Sequence, residues 1–474
     1  MNMRVHSRFL LAALVIVAPR GGRADDGGDP KQHQQHQQLK ERMQHAAIRF
    51  FKENANPTSG LVHVSANNVD PVDPKDDRAS ISTTGYAIAV FTSAYVQGLM
   101  GREEATDYIL KTLRFVKKNH DRMTHRGWFL HFVEWETGSN YKDKSEYATS
   151  DTAGALYAGQ VFGGEIKAIA DDLYRAIDFE DMRTDGGTHP EKLTLSLSFR
   201  AEDGKGKGKK KGYSSSQWDH FAQEVMLLIL GLGHPTHPLP KESWAAFKRQ
   251  GIRLLDGKTI VGYDKALFTQ QYSEIYMDLR KFQDGEVNYF ENATRATLFQ
   301  RDICRNDLRY CTFKVKEGFW GLSAGSGPHG KYVVNKPTKF NGVACIGAAA
   351  ASAMYLSDLV MGDLQKWVDG PYQIWGRYGI ADGIDVYDDK EFWVAPDVHG
   401  ITVGPMFLAL ANMSEETSVW KDFNQIPWVK AGLEKAEKAA PPAPVIEGAL
   451  VPVVEAAPAP EADGEAETDP DLCD

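Results

Sequence analysis

The residue types best suited to chemistry in this chain are carboxylates, and Glu224 stands out because the run Val225-Met-Leu-Leu-Ile-Leu230 follows it directly. Gln217, Phe221, Glu224 and Leu228 recur three and four apart, which predicts one face of a helix over Gln217 to Leu232. A glutamate on the inner face of so apolar a helix is costly if charged and unpaired, so its pKa is expected to rise. A carboxyl that keeps its proton near neutral pH is what a general acid requires. The competing reading is a structural glutamate paired with an arginine or lysine. Glu146 and Asp151 form a second acidic group. Thr149 or Ser150 can cap a helix that begins near Asp151, with Ala153, Leu156 and Val161 apolar inside it. Asp151 would then lie in the first turn, where the helix dipole favours a charged carboxylate, whether or not it has a function. Glu146 falls in the loop just before that start. His234 and His237 resemble a metal pair, but Gly231 and Gly233 end the helix ahead of them. No cysteine–histidine spacing suits zinc, and no cofactor is implied.

The elements that must hold these acids are mostly helical from Leu39 to about Glu437. Ala46, Phe50 and Phe51 lie on one stripe of a first helix that stops at Asn56-Pro57. Helical periodicity follows over Ile81 to Leu99, Ala105 to Val116 and Asp151 to Ala176. It recurs over Ser243 to Leu255, Gln271 to Leu279, Ala293 to Ile303 and Asn341 to Leu356, then Gly400 to Ala411 and Val429 to Lys438. The clearest strand signal is Leu193 to Phe199, expected as a hairpin arm beside the glycine-spaced basic run Lys205 to Lys211. Periodicity alone defines an all-α protein with one large domain over residues 39–438.

The ends read differently. Arg4 and Arg8 precede an apolar stretch, Phe9 to Ala18, and small residues stand at Gly22 and Ala24. This pattern predicts a signal peptide over residues 1–24, too short for a spanning helix, and hence an exported protein with no membrane span after cleavage. Residues 25–38, rich in Gln and His, read as a polar leader. From residue 439 onward alternating Ala, Pro and acids predict a disordered tail. A net charge of −10 argues against nucleic acid as a partner. Cys304 and Cys311 could close a small loop in an oxidising compartment, or stay as two buried thiols.

Six phrases carry a family resemblance: SEYATSDTAGAL, QEVMLLILGLGHPTHP, ALFTQQYSEIYMDLR, NYFENATRATLFQR, FWGLSAGSGP and IWGRYGIADGID. In this order they resemble the glucoamylase-like family, which includes β-1,2-glucan-cleaving enzymes and a domain of cyclic β-1,2-glucan synthases. The resemblance runs from about Arg49 to Trp428. It implies an (α/α)6 toroid, a double ring of helices, whose cavity opens at the N-terminal ends of the inner helices. It also implies glycoside hydrolysis or transglycosylation of a β-glucan-type oligo- or polysaccharide, with β-1,2 linkages as the first candidate. That reaction needs one carboxylic acid and one carboxylate, here Glu224 with Glu146 or Asp151. Asp278 and Asp382 would line the cavity, with Tyr272 and Arg377 as polar contacts. Trp128, Trp218, Trp320, Trp375 and Trp393 are candidate platforms for the apolar faces of sugars, although for each one core packing competes.

The resemblance also has gaps. Where the family commonly writes WGLTACDGP and GIDQGP, this chain has Ser326 in WGLSAGSGP and Thr402-Val403 in GITVGP. GLVHVSANN, from Gly60 to Asn68, lacks the aspartate usual after GLV. The rival to an enzyme is therefore a saccharide-binding or scaffold protein that kept the fold and lost cavity acids. A third reading, a lyase on uronic-acid polymers, would use Tyr272 as base with Arg280 nearby.

Overall fold

The computed structural model describes residues 30–70, 77–149, 152–202, 210–254, 257–306, 318–328, 331–385, 393–439 and 443–449. The proposed signal peptide and the far tail lie outside them. Helices predominate, joined by several small sheets of two to five strands. The helices fall into two kinds. Ile81–Val96, Ala153–Phe162, Glu224–Gly233 and Gly400–Ala411 are apolar nearly all round, as an element buried on every side must be. Arg102–Lys118, Gly164–Arg175, Ser357–Asp369 and Pro427–Glu437 are amphipathic. Each amphipathic helix covers a buried neighbour or its flank. Pro427–Glu437 lies on Glu224–Gly233, and Gly164–Arg175 on Ala153–Phe162. Ile81–Val96 packs against both Ala153–Phe162 and Gly400–Ala411. One hydrophobic cluster runs through all of them, from Leu39 to Ala436.

Several expected boundaries shift, each for a local reason. The first helix spans Pro30–Asn54, so the stretch expected as a polar leader up to Gln38 is helical, with His36 already buried. The single helix expected over Asp151 to Ala176 is two helices, broken at Gly163, whose φ of 67° no helix accommodates. Gln217–Trp218 is a strand paired with Leu195–Ser196, and the helix begins only at Glu224. The Ser243 to Leu255 expectation resolves into a short Glu242–Ala246 helix and a Gln250–Arg253 strand. Leu267–Gln271 is helical where Gln271 to Leu279 was expected. The hairpin arm near Leu193 to Phe199 is present as Leu195–Ser196 and Phe199–Arg200, the latter paired with Gly212–Tyr213.

The tail expectation is corrected over one segment. Val445–Ala449 forms a strand parallel to Gln250–Arg253, with Gln250 opposite Val445 and Gly251 opposite Ile446. Gln250–Arg253 pairs with Thr259–Val261 on its other side, so without the tail it would be an edge strand with unpaired backbone groups. The β-branched Val445 and Ile446 suit that edge despite the proline-rich flanks.

Candidate active site

Four helix starts are laced together. Arg78–Ser80 leads into the Ile81 helix and Asp397–His399 into the Gly400 helix. Ser65–Asn67 pairs antiparallel with Asp397–His399, while His63 bridges to Ala79, so one short segment ties these two helix starts to each other. The Ile81 N–H donates to the His131 carbonyl at 3.3 Å, and the His131 N–H to the Glu146 carbonyl at 2.8 Å. On another side the Tyr272 hydroxyl donates to the Ile401 carbonyl at 2.8 Å. Its neighbour Ser273 donates to the Gln223 carbonyl at 3.2 Å and accepts the Met226 N–H at 3.0 Å, which fixes the start of the Glu224 helix. The Gly347 N–H, at the start of Ile346–Ala350, points to the Asp382 carbonyl at 3.4 Å. Glu224, at a helix start, and Glu146 and Asp382, in loops bonded to other helix starts, are therefore joined by one hydrogen-bond network.

Glu224 is the first residue of its helix and is 1% exposed. Burial pushes its carboxyl up to about 8. The backbone N–H groups of Glu224 and Ala222 and the charges of Arg249 and Lys265 act the other way without prevailing. Those N–H groups lie near without forming hydrogen bonds of good geometry, so neither carboxyl oxygen has a partner among the described residues. A helix start ordinarily favours an anion; here desolvation wins, because a group with no direct partner loses its hydration outright. At neutral pH Glu224 is an acid with a proton to give.

Glu146 is the opposite case. Burial acts to raise its carboxyl, but the His131 hydrogen bond and charge, with Arg200, hold it down at about 2. His131 Nδ1 lies 3.2 Å from one oxygen and Arg200 Nη2 donates to the other at 2.5 Å. It is a fixed anion with part of its side chain open. Asp151 lies outside the described residues.

Asp382 is buried and accepts from His399 Nδ1 at 2.5 Å through Oδ2, while Oδ1 is buried with no hydrogen-bond partner among the described residues. Burial opposes protonation of His399, but the charge and hydrogen bond of Asp382, with Asp397, outweigh it and Arg78, so its pKa is raised. His399 is the residue that precedes the Gly400 helix. A Cβ placed on Gly347 would come 2.5 Å from Thr402 Cγ2, so the replaced acid position packs on this same corner.

The remaining expected contacts are placed variously. Trp128 and Trp320 are fully buried, their indole N–H groups bonded to the Asp178 carbonyl and to Asp363, so neither offers a face to a sugar. Asp278 is gripped by Arg280, which also pairs with Glu415, and its N–H donates to Asn424. Arg377 is held by both oxygens of Glu53 at 2.6 Å. Trp375 lies under the Arg42 guanidinium, 4.5 Å from the ring centroid. Trp393, on a strand paired with Asp385, is half-buried. Trp218 is half-buried too, with an indole N–H that has no partner among the described residues. His234 is structural: Nε2 bonds the Tyr174 carbonyl at 2.8 Å and Nδ1 accepts the His237 N–H at 2.9 Å.

Sequence reasoning passed over Glu274, His399 and Tyr332. Glu274 is buried beside Tyr355, and burial with the charge of Asp278 raises its carboxyl well above the usual range. Its signal was its place in the apolar run Ile275-Tyr-Met277. His399 could have been noticed as the polar residue just ahead of a strongly apolar helix.

The helix-rich fold thus links a buried carboxyl that keeps its proton to a second carboxyl held ionised, the two protonation states that acid–base chemistry uses. Comparisons with known proteins show what the chain resembles. The Glycoamylase family model, described as putative glucoamylase, matches residues 215–427, so the resemblance to the glucoamylase-like family is established over this segment. The exo β-1,2-glucooligosaccharide sophorohydrolase (non-reducing end) of Parabacteroides distasonis is 25% identical over 444 residues, covering 85% of this chain. The chain spans 58% of that relative's length. In fold, a putative glucoamylase from Bacteroides uniformis superposes with a TM-score of 0.73 at 23% identity, over 85% of this chain and 97% of that one. An endo-β-1,2-glucanase from Chitinophaga pinensis, solved with sophorotriose and glucose, superposes with a TM-score of 0.70 at 21% identity, over 85% and 98%.

Proposed function

We propose that the protein is an exported glycoside hydrolase with an (α/α)6 arrangement of helices, acting on a β-glucan-type saccharide with β-1,2 linkages. The observation that carries this reading is Glu224, a buried carboxyl pushed up to about 8 at a helix start inside the family-matched segment. The β-1,2 linkage is supported by the relative and the fold neighbour named above. Glu224 would donate its proton to the glycosidic oxygen as the bond to the anomeric carbon breaks. Glu146, already ionised, or Asp151 would activate water or attack the anomeric carbon. Export rests on the basic and apolar residues before Ala24.

The experiment is release of reducing ends from β-1,2-glucan by the exported chain, with Glu224→Gln beside it. Turnover by the wild type, lost in the variant, is expected. A saccharide-binding protein is the second reading, favoured by Ser326 and Thr402 where the family writes acids. It prevails if the wild type binds a β-glucan, releases no reducing ends, and Glu224→Gln binds equally well.

A further inference from the structure

The hairpin Ala324–Gly327 with Lys331–Val334 sets Ser326 directly opposite Tyr332. Opposed residues of an antiparallel pair share one face, so the Tyr332 ring stands beside the position where the family phrase has an acid. Tyr332 is 49% exposed, the one aromatic among the large apolar side chains left open in the described residues. The ring also meets the His399 imidazole edge-to-face, with ring centroids 5.1 Å apart and planes at 65°. His399 is fixed in turn by Asp382. The hairpin has a firm base: the Asn335 N–H donates to the Ser323 carbonyl at 3.0 Å, and Cys345 Sγ approaches that carbonyl at 3.2 Å. A half-exposed aromatic ring on a paired strand loses less conformational entropy than a long flexible side chain would when a ligand stacks on it.

We propose that Tyr332 and His399 form a sugar subsite in which a glucosyl ring stacks on the tyrosine and one of its hydroxyls bonds His399 Nε2, with Asp382 as the positioning residue. The inference rests on the saccharide reading above and adds how this chain binds without the acid at position 326. A sugar ring presents an apolar C–H face and a polar rim, so an aromatic plate beside one oriented hydrogen-bonding group matches it. Asp382 on Nδ1 fixes the imidazole orientation and leaves Nε2 for the ligand, as a carboxylate behind a histidine commonly does. Tyr332 then determines specificity through stacking, where a carboxylate would do so through hydroxyl contacts.

The test uses the full chain and a β-1,2-linked gluco-oligosaccharide, with KM and kcat from reducing-end release, Kd from calorimetry, and Tm. Tyr332→Ala is expected to raise KM and Kd by about tenfold while leaving kcat within about threefold. Tyr332→Phe keeps the plate and should stay within about threefold of wild type. His399→Asn, which keeps a donor toward Asp382 but removes Nε2, should weaken binding by about tenfold. Unchanged Tm is expected for the tyrosine variants, because the ring is half exposed. Tyr332→Ala binding within about twofold of wild type overturns the inference, as does Tyr332→Phe failing equally or a joint loss of Tm and affinity. Those outcomes leave the hydrolase reading intact. A wild type that neither cleaves nor binds the oligosaccharide overturns the functional reading instead, and removes this ligand with it.

Discussion

Glu224 is held between opposing influences, and its chemistry depends on which prevails. The helix start and the charges of Arg249 and Lys265 favour the anion; complete burial favours the acid and wins. Glu224→Gln keeps shape and hydrogen-bonding capacity but has no proton to transfer. We expect turnover to fall by at least about 10²-fold with Tm unchanged or raised, measured by reducing-end release and thermal melts. Equal turnover in the variant would remove Glu224 from the mechanism. Glu146 invites the complementary experiment. Arg200→Ala removes one of the groups that hold its carboxyl at about 2, so the carboxylate is expected to titrate higher. The acid limb of the pH–activity profile should then move to higher pH; an unmoved limb would mean that Glu146 does not act as the reaction's carboxylate.

At the scale of elements, the helix pair Glu224–Gly233 and Pro427–Glu437 sets how firmly the acid is seated. The two approach so closely that a Cβ on Gly432 would lie 2.0 Å from the Ile229 carbonyl oxygen, and one on Gly233 1.8 Å from that of Trp428. Gly432→Ala should therefore separate the helices and cost about 1–3 kcal/mol, read as a lower midpoint in denaturant. The strand Val445–Ala449 leads to a second element-scale prediction. Truncation after Lys438 removes the partner of Gln250–Arg253, and we expect Tm to fall by about 2–4 °C with faster amide exchange across that strand. An unchanged Tm would show that the tail strand contributes nothing to the folded domain.

Across the whole molecule, two fully buried acids and the raised His399 favour the acid side, against His36 and His234, which burial lowers. Glu224 and Glu274 both have folded pKa values raised above their unfolded ones, by burial first. The folded state then binds more protons than the unfolded state above about pH 4.5, so their stabilising contribution is complete below that value and is lost as pH rises toward about 8. Glu146, Asp278, Asp181 and Glu53 are lowered, and their contribution is lost only as pH falls below the usual carboxylate range. Stability is therefore expected to be greatest near pH 5 and to decline toward pH 8. Glu224→Gln should flatten that decline. A wild-type Tm that rises from pH 5 to pH 8 would contradict the raised acids.

The sequence by itself determined that the chain is mostly helical from Leu39 to about Glu437, in one large domain, and that Glu224 would be a buried acid. These follow from apolar periodicity and from the cost of an ionised group among Val225 to Leu230, both properties of contiguous residues. It also carried the six phrases that resemble the glucoamylase-like family. Only the tertiary structure decided that Glu224 starts its helix, because the pairing of Gln217–Trp218 with Leu195–Ser196 captures the residues that periodicity had assigned to a preceding turn. It alone showed Trp128 and Trp320 sealed in the core, and Arg377 satisfied by the distant Glu53. Partners far apart in the chain decide whether a polar group is satisfied, and no local pattern encodes them. For the same reason the meeting of Asp382, His399 and Tyr332 could not be read from the sequence. Two short ladders and one histidine–carboxylate contact bring them together, and the residues concerned carry no periodic signal of their own.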